Sequence, residues 1–434
     1  MQPAPLDDDD EENPSPVVPS SRPRLLRLLG PGLVTGASDD DPSGIATYSQ
    51  AGAQFGYAVG WTMFVCYPLM VAIQMVSAEI GRVTGHGIAG VLRQHYPRWL
   101  LSSVVLLLVF ANTINLGADI GAMADATALL LPGPRPIWVL IFASFCISMQ
   151  LFLQYTRYIA VLKWLTLALF AYVISAAVVR VDWPTALWHM VWPGSGWSRQ
   201  GMEMMVAIFG TTISPYCFFW QAAEEVEDIH AHARRIELID APSQAPAALR
   251  RIELDTLVGM AFSNIVSLAI MLTTAATLGA HGITDIQTSA QAARALRPLA
   301  GHFAATLFTL GIVGTGLLAV PVLAGSAAYA IGEARQWPAG LGRRPKEAQA
   351  FYATITMATL IGMLINFTPI NPIRALVFSA VINGVVAVPL MAIMMRIVAR
   401  ADIMGPFVVR GPLRFLGWLA TAVMGLVALG MFLA

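Results

Sequence analysis

The sequence predicts an all-α membrane protein of about eleven transmembrane helices, in which two helices are broken at matching places of an inverted repeat. Of its 434 residues, 56% are hydrophobic and 12% are charged, roughly half the charged fraction of soluble proteins. Apolar stretches of about 20 residues are long enough to cross a bilayer as helices. Two peptides, Asp41-Pro42-Ser43-Gly44 and Ile213-Ser214-Pro215-Tyr216, interrupt such stretches.

The apolar stretches define eleven predicted spans. In chain order, spans 1 to 11 cover 28–53, 58–81, 100–130, 137–154, 158–180, 202–226, 253–279, 303–333, 348–367, 372–397 and 415–433. Residues 1–21 hold an acidic run among prolines and serines, which predicts a disordered cytoplasmic tail before a single transporter domain at 22–433. Cys66, Cys146 and Cys217 fall within spans, where we expect small core residues rather than disulfides.

The distribution of Lys and Arg predicts the orientation. With the N-terminus in the cytoplasm, 20 of these residues fall on the inner side and six on the outer side. This split follows the positive-inside rule and places the C-terminus outside. The net charge is zero, so we expect no nucleic-acid partner.

The two interruptions predict a cation transport site. Proline lacks a backbone N–H, so each peptide breaks its helix, and the freed carbonyls and half-helix ends coordinate cations in transporters. Each break begins a five-span half, which suggests repeats at about 28–180 and 202–397 with an extra helix at 415–433. The first break adds Asp39, Asp40 and Asp41, and an intramembrane carboxylate is a functional candidate by default. Helix capping is the alternative role, which we favour for Asp39.

Several peptides carry a family resemblance. Four peptides together resemble the Nramp family of divalent-metal transporters. They are Gly30-Pro31-Gly32, Asp41-Pro42-Ser43-Gly44, the stretch from Gln50 to Tyr57, and Ser77-Ala78-Glu79-Ile80-Gly81. The resemblance implies the LeuT-type inverted-repeat fold. It also implies a metal between the two breaks, held by the side chain of Asp41 and the backbone near Thr211.

The departures from the family pattern predict a hard ion. Where the family has Met-Pro-His, this chain has Ser214-Pro215-Tyr216, and Gly44 stands where the family has asparagine. A thioether suits transition metals, whereas Mg²⁺ takes oxygen ligands and keeps several waters. The predicted metal ligands are Asp41, Gly44, Thr211 and Ser214.

A second group of departures predicts weak or absent proton coupling. Tyr216 and Gln221 replace family histidines, Asn115 replaces an acidic residue, and all seven histidines lie in loops or at span ends. Histidine is the usual proton carrier near neutral pH, so we expect uncoupled Mg²⁺ uptake driven by the membrane potential, as in the Nramp-related magnesium transporters. The candidate cavity-lining residues are Asp40, Ser43, Asn115, Asp119, Tyr216 and Asn383. An interhelical hydrogen-bonding seam is the alternative role for the polar residues of span 3.

Two other functions remain open from the sequence. One is proton-coupled Mn²⁺/Fe²⁺ symport, and the other, of a different class, is sodium-coupled symport of an organic solute. We find no zinc-protease motif, nucleophile elbow or Walker loop in a suitable context, so we expect neither an enzyme nor a resident cofactor. The expected partners are the lipid bilayer and a divalent metal substrate, Mg²⁺ with Mn²⁺ as an additional ion. The expected location is the inner membrane of a bacterium.

Overall fold

The protein is described here by a computed structural model, which covers residues 35–36, 38–152, 169–192, 197–232, 234–369 and 371–433. The predicted tail, the start of span 1 and the first eleven residues of span 5 lie outside these residues. The helices, numbered in chain order, are α1 Pro42–Phe55, α2 Trp61–Thr84, α3 Ile88–His95, α4 Arg98–Ala128, α5 Arg135–Phe152, α6 Phe170–Val178, α7 Trp183–Val191, α8 Arg199–Thr212, α9 Pro215–Ala231, α10 Ala245–Thr277, α11 Ala304–Arg335, α12 Gln349–Ile365, α13 Pro372–Ile397 and α14 Gly411–Leu433. Three shorter α-helices are Ser289–Ala293, Arg297–Ala300 and Ala401–Met404.

The described helices agree with a membrane protein. Eight helical stretches are long and apolar enough to cross a bilayer, and α12 is a shorter apolar helix. In an apolar 18-residue window of each stretch, 89% of the residues are buried for the stretch that contains α8 and α9, against 22% for α5 and 33% for α14. The chain therefore surrounds the second broken helix with others and leaves α5 and α14 at the periphery, where apolar side chains suit lipid.

Both helix breaks are present, and the first is narrower than predicted. Asp40 and Asp41 are non-helical, while Ser43 and Gly44 already belong to the first turn of α1. Asp41 has the extended φ of −67° and ψ of 170° of an N-cap, and Pro42 follows it at the first helical position, where its missing N–H costs nothing. The predicted interruption over residues 41–44 is thus wrong at its C-terminal end.

The second break separates α8 from α9. Ile213 and Ser214 leave helical geometry, and Pro215 begins the next helix. A residue before proline is driven toward extended backbone, and Ser214 accordingly has a φ of −83° and a ψ of 132°. The local sequence therefore determines this break.

One predicted loop is partly helical. Residues 227–252 are expected from their charges to connect spans 6 and 7, but α9 continues to Ala231 and α10 begins at Ala245. Arg250 and Arg251 therefore lie on a helix. Pairing explains the error, because Arg251 is bound to acidic residues of α9 and need not lie in a solvated loop.

The helices behind the breaks are in close contact. A Cβ added to Gly210 of α8 would lie 2.1 Å from the carbonyl oxygen of Ala380 and 2.6 Å from the Cα of Gly384, both on α13. Small residues of this kind let helix backbones touch in membranes. α1 packs against α10 and α13, and α4 packs against α11 and α13, so both breaks lie inside the bundle.

Candidate metal centre

The two breaks face each other across a short distance. A Cβ added to Gly44 would lie 3.2 Å from Thr211 Oγ1 and 3.3 Å from the carbonyl oxygen of Asp39. Asp41 is joined to the same turn, because its Oδ1 accepts hydrogen bonds of 2.7 Å from the Gly44 N–H and of 2.7 Å from the Ser43 hydroxyl. The first turn of α1 therefore meets the last turn of α8.

The second oxygen of Asp41 connects this turn to α4 and α13. Asn115 Nδ2 donates a 2.9 Å hydrogen bond to Asp41 Oδ2, and the Ser379 hydroxyl donates a 2.8 Å bond to Asn115 Oδ1. Asp41 is only 1% exposed. Donors from α1 and α4 therefore hold both oxygens of the carboxylate, whose lone pairs are also the groups that bind a cation.

Ser214 closes the second break. Its Oγ lies 2.7 Å from the carbonyl oxygen of Thr211 and 3.0 Å from that of Gly210. A hydroxyl has one hydrogen to donate and two lone pairs that accept. The side chain can therefore hold one carbonyl and still present an oxygen to a ligand. We call Asp41, Gly44, Thr211 and Ser214 the break site.

Several polar groups around the break site are buried without a partner. Five such atoms have no hydrogen bond within the described part of the chain: Thr211 Oγ1, both carboxylate oxygens of Asp119, and both side-chain polar atoms of Asn383. Buried polar groups in proteins are nearly always satisfied. A hydrated cation and its waters would satisfy such groups, which is what a transport site requires.

Asp39 and Asp40 turn away from Asp41 and toward α10. The Ser263 hydroxyl lies 3.2 Å from Asp39 Oδ2 and 3.1 Å from Asp40 Oδ1, and Ser267 Oγ lies 3.2 Å from the same oxygen of Asp40. The sequence reading did not single out Ser263 or Ser267. Their four-residue spacing in an apolar span was the available signal.

Tyr216 holds the segment before the first break. Its hydroxyl donates a 3.1 Å hydrogen bond to the carbonyl oxygen of Ser38. A carbonyl at the end of the helical residues before the first break is thereby satisfied by α9. This contact gives Tyr216 a positioning function at the breaks.

Cys217 lies beside the acidic segment, which the sequence did not predict. Its thiol lies 3.6 Å from Asp39 Oδ1, so a soft sulfur atom stands beside the acidic segment. The side chain is fully buried, as predicted for a core residue, but its neighbour is a carboxylate. A cysteine two positions after Pro215 was the signal available in the sequence.

The donor set is rich in oxygen and poor in histidine. Among the described residues, no three His, Cys, Asp or Glu side chains converge as a metal cluster. All seven histidines lie in loops, in short helices or in the last turn of a helix. A cation here would be held by Asp41 together with hydroxyl, carbonyl and water oxygens, the ligands of hard divalent ions.

Contacts on both sides separate the break site from solvent. Near the C-terminal end of α1, Gln50 donates a 2.9 Å hydrogen bond to the carbonyl oxygen of Thr284 and accepts one of 2.8 Å from the Ile286 N–H. Near the C-terminal end of α9, Arg251 pairs with Glu225 at 2.5 Å. The site is therefore enclosed, which suits a carrier that exposes its ion to one side at a time.

Comparisons with known proteins agree with this architecture. Over 417 residues the chain is 26% identical to a protein named divalent metal cation transporter MntH from Klebsiella pneumoniae (strain 342), with 93% of each chain covered. The crystal structure of the Eremococcus coleocola manganese transporter, in complex with an aromatic bis-isothiourea substituted compound, matches with a TM-score of 0.73. That match has 18% identity and covers 98% of this chain and 90% of that one.

A more distant structure confirms the predicted fold. The crystal structure of MhsT in complex with L-phenylalanine matches with a TM-score of 0.54 at 13% identity, covering 92% of this chain and 98% of that one, so the LeuT-type fold is shared. The profile of the family described as Natural resistance-associated macrophage protein-like, or Nramp, matches residues 32–434. Because this match spans the whole membrane region, the chain belongs to the Nramp family.

Proposed function

We propose that this protein carries a divalent metal cation across a membrane by exposing the break site alternately to its two sides. The observation that carries the proposal is the Asp41 carboxylate, which is buried beside the two helix breaks and held by donors from α1 and α4. A carboxylate at such a depth is costly unless it serves a substrate. The bacterial inner membrane, with the N-terminus in the cytoplasm, is the proposed setting.

We propose Mg²⁺ as the principal substrate. Ser214 supplies an oxygen where a thioether would favour transition metals. The unpartnered atoms of Thr211, Asp119 and Asn383 suit a cation that keeps several of its waters, as Mg²⁺ does. The break site offers few direct ligands, and these polar groups lie around it, so the arrangement supports an ion that keeps its waters.

Uptake is proposed to need no coupled proton. The histidines lie away from the middle of the long helices, which removes the usual proton relay near neutral pH. A membrane potential supplies about 2.3 kcal/mol per charge per 100 mV, hence about 4.6 kcal/mol for a divalent cation. This driving force suffices for roughly a thousandfold accumulation, since each 1.4 kcal/mol is a factor of ten.

Proton-coupled Mn²⁺/Fe²⁺ symport is the second candidate. Three observations favour it. The first is the similarity to proteins named as divalent metal and manganese transporters, and the second is the Cys217 thiol beside Asp39. The third is the buried carboxylate of Asp119, since such a group can carry a proton in place of histidine.

Transport by the purified protein in liposomes separates the two candidates. The vesicles contain a Mg²⁺-sensitive or Mn²⁺-sensitive dye in one series and a pH dye in another, and a potassium gradient with valinomycin sets an inside-negative potential. We expect entry of Mg²⁺ that increases with the potential and leaves the internal pH unchanged. Entry of Mn²⁺ alone, accompanied by acidification of the lumen, would support the symport candidate instead.

A further inference from the structure

The cytoplasmic end of α9 carries two acidic pairs in different surroundings. In the first pair, Glu225 Oε2 lies 2.5 Å from Arg251 Nη2, and Asp228 Oδ2 lies 3.5 Å from the same guanidinium nitrogen. Asp228 is also bound by Arg235 and lies 3.4 Å from the ring of His232. Basic side chains therefore surround the first pair.

In the second pair, Glu224 and Glu227, basic side chains are fewer and none is close to Glu224. Glu224 is fully buried, and neither of its carboxylate oxygens has a hydrogen bond within the described residues. The charged groups that act on it are the three other carboxylates at this end of α9. Glu227 accepts a 3.1 Å hydrogen bond from the Tyr329 hydroxyl and experiences the charge of Arg343 at longer range, but no described cationic side chain forms an ion pair within 4 Å of either glutamate.

The second pair continues the face of α9 that begins at the break site. Tyr216, Trp220 and Glu224 are spaced four residues apart and so lie along one side of the helix. Glu224 is ten residues beyond Ser214, which is about 15 Å along the axis at 1.5 Å per residue. Between them the Trp220 ring packs edge-on against Tyr329 of α11, with centroids 6.1 Å apart.

We propose that Glu224, Glu227 and the Tyr329 hydroxyl form a second divalent-cation site, which we call the exit site. The inference rests on the proposed function, since the cation is the transported one on its way to the cytoplasm. Burying a carboxylate without a cation or a donor is unfavourable. Two carboxylates and a hydroxyl are suitable ligands for a hard divalent ion, and the neighbouring arginines prevent the first acidic pair from competing for it.

The alternative is that Glu224 is a protonated side chain with a packing function only, and it predicts no second metal. Counting bound Mn²⁺ decides between the two, because free Mn²⁺ is measured directly by electron paramagnetic resonance. The full-length protein is purified in detergent as wild type, Asp41→Ala, Glu224→Gln and the double variant. We expect two bound ions in the wild type, one in each single variant and none in the double variant.

Glu253→Gln provides the matched control, because it removes an exposed carboxylate from the cytoplasmic part of α10. This variant should bind two ions. Glutamine preserves the shape of Glu224, and the ion retained at the break site reports that the Glu224→Gln variant is folded. Glu227→Gln should also lose the second ion, which tests the pair rather than one residue.

The outcomes separate the exit site from the proposed function. A single wild-type ion that Asp41→Ala removes and Glu224→Gln leaves in place would overturn the exit site and support the break site. A single ion with the opposite dependence would support the exit site and contradict metal binding by Asp41. Two wild-type ions that both survive Glu224→Gln would also overturn the exit site.

Discussion

Asn115 on α4 donates a 2.9 Å hydrogen bond to the carboxylate of Asp41, the residue that caps the first turn of α1. The bond connects a continuous helix to the end of a broken one. Together with the Gly44 N–H, which holds the other oxygen, it fixes the position of the carboxylate. Asp41 thus combines helix capping with the proposed binding of metal, and the two functions can be separated.

Asp41→Asn and Asp41→Ala should both abolish metal uptake in liposomes, but only the alanine variant should lose thermal stability. Asparagine caps a helix as well as aspartate does, whereas alanine at an N-cap costs about 1 kcal/mol. The measurements are initial uptake rates and the melting temperature of the purified protein. Wild-type uptake by Asp41→Asn would exclude the carboxylate as a ligand.

Ser214→Met should shift selectivity from Mg²⁺ toward Mn²⁺. The thioether adds a soft ligand at the end of α8, and soft ligands favour transition metals. Competition between the two ions for uptake measures the shift, with Ser214→Ala as the control that removes the hydroxyl without adding sulfur. Unchanged selectivity in the methionine variant would mean that the side chain at position 214 does not reach the ion.

Cys217→Ser tests whether the thiol contributes to the ion's environment. Replacing sulfur with oxygen should weaken uptake of Cd²⁺, a thiolate-binding ion, more than uptake of Mg²⁺. Cys146→Ser is a matched control, because Cys146 is also buried but lies on the peripheral helix α5. Equal effects of the two substitutions on Cd²⁺ uptake would contradict a function for Cys217 at the site.

Gly44→Ala should lower transport without unfolding the protein. The added methyl group would lie 3.2 Å from Thr211 Oγ1 and narrow the space between the breaks, while alanine is about 1 kcal/mol better than glycine inside a helix. Gly311→Ala on α11 is the control, because among the described residues its methyl group would meet only Leu169, at an ordinary 3.7 Å. We expect reduced uptake for the first variant alone, measured at equal amounts of folded protein.

The sequence predicted the helix breaks because their causes are local. Pro42 and Pro215 act on their own neighbours, so no tertiary information is needed to place the interruptions within a few residues. The same local argument does not predict which helix the side chains of Asp39, Asp40 and Asp41 contact. In an unwound segment each successive side chain points where its own φ and ψ direct it, and α10 binds two of these residues while α4 binds the third.

The hydroxyl and thiol partners were harder to predict. Serine and cysteine are common inside membrane helices as small packing residues, so Ser263 and Cys217 carry no distinguishing pattern in one sequence. Their importance comes from residues far away in the chain, since Ser263 reaches Asp39 across 224 positions. Likewise, Arg251 is charged and reads as a loop residue until its pairing with Glu225 is known.

The backbone contact between Gly210 and Gly384 limits how this transporter can change shape. Two helices that touch without intervening side chains cannot slide past each other without a clash, so α8 and α13 should travel as a single rigid body. During the transport cycle, the contacts that change would then be the hydrogen bonds that α13 and α1 make with α4. During such a cycle, hydrogen bonds between helices would be replaced by hydrogen bonds to water, while the apolar contacts between helices would stay the same.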